Sequence, residues 1–340
     1  MSSTQVAPET AAALLATVRR ASGCPDLAYA DPPVSLQGGY YAEMIRFGLA
    51  GAPAELRGDL VARIVPNPAT ARWEAVLQGG VAGQGFPTPV VRLTADDTSP
   101  LGRSLLVMDH VEGAPMLSGL DGARIVGQIP AILRHLPDQL AGLAAALHAV
   151  DPDAVAAGLD ALDDGIPTTT RGFLEAQLWS AAVAGRPDLA EVAEQLIATE
   201  PASRRRVISH GDLHPFNVLE ASAGPVLIDW TVARVAHPGF TLGFTDLMLS
   251  HPPVEAPRAA APVLRAVGRR LTRRFHRTYR SLAAPADLVT PEELGWFRKV
   301  HELRIVVELA GWEAAGTMPT SHPWLLMRPI ADRDLGLPRR

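Results

Sequence analysis

Apolar and polar positions alternate over short stretches in the first hundred residues, and glycine or proline interrupts each stretch. Val34 to Gln37 and Tyr40 to Phe47 read as two strands around a tight turn at Gly38 and Gly39, because glycine takes positive φ at little cost. Leu60 to Val65 is a third strand, closed by Pro66 and Pro68, and Val90 to Leu93 and Leu105 to Met108 add two more. Helical spacing appears twice: Leu14, Leu15 and Val18 mark an amphipathic helix over Thr10 to Ala21, and Trp73 to Val81 reads as a helix between strands. This region therefore predicts a small, mainly antiparallel sheet with one inserted helix.

After Gly113 the period changes. Gln139 to Val150, Arg171 to Ser180 and Leu189 to Thr199 favour helix, and helices resume near Leu242 and continue past Ala314. The exception is Val207 to Asp229, where Val207 to Ser209, Val218 to Glu220 and Val226 to Ile228 are short β-type runs. The proline-rich stretch from His251 to Pro262 reads as a loop between helices. Arg265 to Arg280 interleaves Leu264, Val267, Leu271, Phe275 and Leu282 at three-to-four spacing. That pattern describes an amphipathic helix with a basic solvent face, or else a face that attracts an anionic substrate. With 340 residues the chain suits two lobes better than one core.

Composition narrows the class. Hydrophobic residues make up 47% and charged residues 20%, and no apolar run approaches the roughly 18 residues a membrane span needs. Met1 to Thr10 lacks the basic start and apolar stretch of a secretory signal, so the expected location is cytoplasmic, without a membrane partner. Cys24 is the only cysteine, which excludes a disulfide or a thiolate cluster within the chain. A net charge of -5 argues against a general nucleic-acid binder. Of the 31 basic residues only Lys299 is lysine, an imbalance that bears on any search for a catalytic lysine.

The segment that carries chemistry is His210-Gly211-Asp212-Leu213-His214-Pro215-Phe216-Asn217, followed by Leu227-Ile228-Asp229-Trp230. Phosphoryl transfer needs a divalent metal to neutralise a triphosphate, oxygen ligands to hold the metal, and a carboxylate to orient the attacking hydroxyl. Asp212, Asn217 and Asp229 supply such groups, with β runs on both sides. His210 and His214 stand four apart, as in zinc-binding helices, but Gly211 and Pro215 disfavour a helix there. Two turn-capping aspartates are the plainer reading of Asp212 and Asp229, and their joint spacing with Asn217 opposes it.

These residues resemble the aminoglycoside phosphotransferase family, relatives of choline kinases and protein kinases, whose loop reads His-Gly-Asp-x-His-x-x-Asn with a later Ile-Asp-Trp or Ile-Asp-Phe. The resemblance implies an α+β, two-lobed protein-kinase-like fold: a β-rich N-lobe over 1–109, a hinge at 110–113 and a mainly helical C-lobe over 114–340. It implies ATP or GTP and Mg2+ as cofactors and a small-molecule hydroxyl substrate. By it Asp212 is the catalytic base, Asn217 and Asp229 ligate magnesium, and His210 and His214 support the loop. Arg63 would stand where the family has a phosphate-binding lysine, paired with Glu74, and Gly38 and Gly39 would cover the triphosphate. Backbone groups of Asp109, His110 and Val111 would meet the nucleotide base. Asp246 falls where relatives carry a helix-starting aspartate behind the loop, for which N-capping is the favoured role. Glu302, Glu308, Trp312 and Glu313 lie where relatives build the acceptor pocket, although each also suits a solvated face. Arginine at position 63 leaves a nucleotide-binding pseudokinase as the alternative. A protein kinase ranks last, because an Ala-Pro-Glu segment is not evident.

Overall fold

A computed structural model describes the backbone of residues 4–36, 42–117, 123–162, 164–202, 205–254 and 258–338, with the side chains of 123–131 and 258 left out. Gly38 and Gly39 lie outside the described residues. In chain order the elements are β1 (Thr4–Gln5), α1 (Pro8–Ser22), β2 (Ala28–Tyr29), β3 (Val34–Leu36), β4 (Glu43–Ala50), β5 (Asp59–Val65), α2 (Pro68–Gly83), β6 (Val91–Ala95), β7 (Ser104–Asp109) and β8 (Gly113–Pro115). There follow α3 (Ala123–His148), α4 (Asp153–Asp160), α5 (Thr170–Val183), α6 (Pro187–Ala198), β9 (Val207–Ser209), β10 (Val218–Ala221), β11 (Gly224–Leu227) and β12 (Arg234–Ala236). The chain closes with α7 (Gly239–Ser250), α8 (Ala261–Leu282), α9 (Pro291–Ala315) and α10 (Pro323–Asp334).

Contacts divide the chain into two units. The first holds Met1–Ala114, Ala154–Ile166 and Leu219–Thr231, and the second holds Pro115–Asp153, Pro167–Val218 and Val232–Arg340. A single cut near residues 110–113 therefore misses two segments that return to the first unit, one of them carrying Asp229. Such returns are long-range pairings that a linear change of pattern does not contain.

In the first unit an antiparallel sheet runs β1-β3-β4-β5-β7-β6, with β2 paired to β4. Strand β5 lies between β4 and β7 and is buried along almost its whole length. Period two sorts its residues by face. Leu60, Ala62 and Ile64 join Leu14 and Val18 of α1, with Ile45, Phe47, Leu105 and Val107, in one core. Val61 and Val65 pack instead with Leu106, Met108 and Ala71 of α2. Arg63 shares that second face, so its charge is buried and requires a partner. Helix α2 begins at Pro68 with Asn67 as its cap, whose side chain accepts from the Ala69 amide at 3.0 Å. The same helix carries Glu74, which is 1% exposed.

The second unit is helical around α9. Thr290 and Glu293 form a capping box at its start, and Gly316 ends it in a left-handed conformation. Between Trp296 and Ala310 nearly every residue of α9 is buried. Phe297, Val300, Leu303 and Val307 meet Phe173, Leu174 and Phe240 on one side, while Ile305 and Leu309 meet Phe244, Leu247, Trp324 and Met327 on another. Polar residues in the middle of such a helix must be satisfied by neighbours. Strands β9 and β12 pair antiparallel and close this unit beside the segment His210 to Asn217. Among the described residues no single helix is long and apolar enough to cross a membrane.

Candidate active site

The sequence-predicted residues gather into two groups, one in each unit. In the first, Arg63 donates from Nε to Glu74 Oε2 at 2.7 Å and from Nη2 to Glu74 Oε1 at 3.3 Å. Its Nη2 also reaches Thr231 Oγ1 at 2.8 Å and Asp229 Oδ1 at 3.4 Å. The Thr231 hydroxyl lies 2.6 Å from Asp229 Oδ1 and 3.0 Å from Glu74 Oε1. A hydroxyl has one proton, so Thr231 accepts from Arg63 and donates to one carboxylate at a time. Burial works against the Arg63 charge, but Asp229 and Glu74 outweigh it and raise its pKa. Burial raises the Glu74 pKa and Arg63 counters only part of that rise. The Arg63 and Glu74 side chains are 9% and 1% exposed, so neither is a surface group. Asp229, at φ 65, is the one described non-glycine residue with positive φ, a strained backbone found where a side chain must be aimed. Its side chain is 36% exposed.

At the end of β7, the Asp109 carboxylate is held in a two-pronged pair by Arg92 at 2.7 and 2.8 Å. The Asp109 amide donates to Val90 O and the His110 amide to Asp59 O. Those two amides are already used within the unit, which narrows what a nucleotide base could meet there to carbonyls and the Val111 amide. Burial, with Arg46 nearby, lowers the pKa of His110.

In the second unit the segment His210 to Asn217 folds back on itself. Gly211 has φ 70, and a Cβ there would come within 2.4 Å of Phe240, so only glycine fits. Asn217 Nδ2 donates to the Asp212 carbonyl at 3.0 Å and to Asp212 Oδ2 at 2.8 Å. The ring of His214 accepts at Nδ1 from the Phe216 amide, which leaves the proton on Nε2, 3.5 Å from Asp212 Oδ2. That geometry makes His214 a support of the loop, and it removes the helical zinc pair, because the residues form no helix. His210 is fully buried, with its amide donating to Thr241 Oγ1 at 2.9 Å. Thr245 Oγ1 donates to the Leu213 carbonyl at 2.9 Å.

Asp246 is a correction. It lies inside α7 rather than at its start, where Pro238 occupies the cap position. Its carboxylate takes Arg298 Nη1 at 2.7 Å and His276 Nε2 at 2.7 Å, tying α7 to α8 and α9. The loop is braced from α7 by Thr241 and Thr245 instead. Their signal in the sequence was slight: two threonines four apart on one helix face.

Arg304 is the larger omission. From the middle of α9 its Nη1 donates to Gly211 O at 3.3 Å and to Asp212 Oδ1 at 3.1 Å. Its guanidinium sits 4.9 Å from the Trp324 ring centre and 5.5 Å from that of Phe244. A lone arginine in Leu303-Arg304-Ile305-Val306-Val307 was the available clue. Burial pushes the Asp212 pKa up, but Arg304, His214 and His210 overcome it and hold the carboxylate well below its ordinary range. Further along α9, burial pushes Glu302 up to about 7 and Glu308 up to about 8. Glu302 is buried, whereas the Glu313 side chain is 57% exposed, as a solvated face requires.

With this geometry in view, the comparisons become specific. The sequence profile of the phosphotransferase enzyme family, APH, matches residues 36–284, and the chain belongs to that family. It is thus a phosphotransferase of the kind that acts on hydroxyl groups of small molecules, with a kinase-like fold. An assumed aminoglycoside phosphotransferase of Ralstonia eutropha superposes with a TM-score of 0.61 at 17% identity, covering 91% of this chain and 92% of that one. A macrolide 2'-phosphotransferase of Brachybacterium faecium gives 0.53 at 19% identity, covering 96% and 99%. An APH enzyme solved with GDP and kanamycin gives 0.57 at 15% identity, covering 95% and 98%. At these identities the likeness speaks to the fold alone. No curated protein sequence matches the chain.

Proposed function

We propose that the protein transfers the γ-phosphoryl group of ATP, with Mg2+, to a hydroxyl of a small-molecule acceptor. The observation that carries this reading is the pairing of Asp212 with Asn217, because it orients a catalytic carboxylate and a metal ligand with one side-chain amide. The Asn217 nitrogen is committed to Asp212, so its Oδ1 is left as an oxygen donor for a hard cation. Asp229 is exposed enough to coordinate as well, and Thr231 and Arg63 both bear on its Oδ1, leaving Oδ2 for the ion. Oxygen donors of this type fit magnesium, which when bound neutralises charge on the triphosphate.

The chain's own residues do the positioning. Asp212 accepts a hydrogen bond from the acceptor hydroxyl and takes its proton as the new P–O bond forms. Its strongly ionised state suits orientation more than early proton abstraction, which matches a loose transition state with little bonding to the nucleophile. Arg63, steadied by Glu74, offers permanent positive charge to the phosphates, and the carbonyls of Asp109 and His110 with the Val111 amide receive the base.

The test is Mg2+-dependent turnover of ATP and GTP against aminoglycosides, macrolides, nucleosides, choline-like amines and hydroxy acids, with Asp212→Ala as the blank. Turnover raised by one compound class and lost in the variant identifies the acceptor class. Nucleotide binding without any Asp212-dependent turnover sinks the proposal in favour of a pseudokinase.

A further inference from the structure

We propose that Arg304 is a positioning residue for phosphoryl transfer: it fixes the Asp212 carboxylate in rotation and depth by joining it to the Gly211 carbonyl. The inference rests on the reading of Asp212 given above and adds a residue from a helix 92 positions further along the chain.

A carboxylate on a loop has two soft degrees of freedom, its χ1 and χ2 rotations. Asn217 restrains one oxygen of Asp212, Oδ2, and without a second anchor the group pivots about that contact. Arg304 supplies the second anchor at Oδ1. The same Nη1 carries two protons, and the acceptors at 3.1 and 3.3 Å are a side-chain oxygen and a backbone oxygen of adjacent residues. One nitrogen therefore ties the side chain of Asp212 to the backbone that carries it. Oδ1, which takes Arg304, still has a lone pair for a substrate hydroxyl.

The anchor is itself held. Arg304 is 9% exposed, and its guanidinium is set near Trp324 and Phe244, so it has little room to follow a moving partner. Helix α9 is fixed in turn by its core contacts and its capping box. Lysine lacks the planar guanidinium that lies against aromatic rings while one of its nitrogens donates to the loop. A merely structural arginine would point its donors at helix ends or at distant carboxylates, whereas both described bonds of Arg304 fall on Gly211 and Asp212.

The experiment measures kcat and KM for nucleotide and acceptor in wild type, Asp212→Ala, Arg304→Ala, Arg304→Met, Arg304→Lys and the double variant Asp212→Ala/Arg304→Ala. Nucleotide affinity serves as the check on folding. A positioning role predicts a kcat fall of about 10²-fold in Arg304→Ala, with nucleotide KM changed by less than about twofold. It predicts partial recovery on adding millimolar guanidinium, an intermediate value for Arg304→Lys, and a double variant no slower than Asp212→Ala alone. Additive losses in the double variant, or a change confined to acceptor KM, would overturn the proposal, the second by placing Arg304 on the substrate. Loss of nucleotide binding in all three single Arg304 variants assigns the residue to stability and also overturns it. Absence of Asp212-dependent turnover in wild type fails the underlying reading, a result separate from any Arg304 outcome, and removes the role with it.

Discussion

Each unit uses a buried arginine to hold a carboxylate of the proposed site, and the two arrangements differ in which partner is left accessible. In the first, Arg63 is 9% exposed and Asp229 36%, and the arginine is shared among Glu74, Thr231 and Asp229. In the second, Arg304 is 10% and Asp212 16% exposed, and the arginine serves Asp212 and its own backbone neighbour. A group meant to coordinate an ion has to be reachable. A group meant to aim a hydroxyl has to be rigid, and tighter enclosure with an added backbone tie supplies that. Among the described residues Arg63 pairs with both Glu74 and Asp229, whereas Arg304 pairs with Asp212.

The largest expected effect falls on the second arrangement. Asp212→Asn keeps the shape but removes the ionised acceptor, and kcat should drop by about 10² to 10⁴-fold while nucleotide affinity holds. Steady-state kinetics with the identified acceptor checks it, and a loss under tenfold would mean that Asp212 does not take the proton.

Next comes the first arrangement, where the expected loss is in stability. Arg63→Met strands Glu74 as a buried, unpaired acid and should cost about 3 kcal/mol in chemical denaturation. The double variant Arg63→Met/Glu74→Leu should regain much of that stability while nucleotide turnover stays impaired. Equal stability of both variants would show that the pair is not coupled.

A smaller effect is expected at Gly211. Alanine there meets Phe240 and adopts a strained φ, a cost of roughly 1–3 kcal/mol, and the displaced loop should lose kcat more than nucleotide affinity. Unchanged denaturation and kinetics would contradict the close approach.

Smallest is the pH response of Glu308. Burial raises its pKa in the folded state to about 8, above its unfolded value, so the folded chain holds the proton more tightly. The resulting stability is present at acid pH and is lost as pH rises through about 8. Relative to Glu308→Gln, wild type should therefore melt at progressively lower temperature between mildly acid pH and pH 8, then run parallel. Parallel melting curves across the whole range would place Glu308 in solvent.

Much of the first unit was readable because its strands follow period two and its helix a 3.6 period. Leu60 to Val65 became β5 and Trp73 to Val81 became part of α2, while Arg63 and Glu74 were singled out by the resemblance to the phosphotransferase family. The short pieces β1, β2, β8, β12 and the helices α4 and α10 left too little periodicity to be seen, and α3 starts well before Gln139. Asp246 misled because an aspartate near a helix start suggests a cap, whereas it lies inside α7 with His276 of α8 and Arg298 of α9 as partners.

Local order in the sequence determined which residues the proposed chemistry draws on: the loop from His210 to Asn217, the glycine that allows its bend, the later Asp229, and the cation at 63. Those features depend on residues close in the chain, whose spacing is covalently fixed. Tertiary structure decided what surrounds them. It brought Leu219–Thr231 into the first unit, chose Thr241 and Thr245 over Asp246 as the loop's braces, and set Arg304 against Asp212. Each of these choices is the partner of a buried polar group. Burial makes such a partner obligatory, and only the packing of distant elements determines which residue it is.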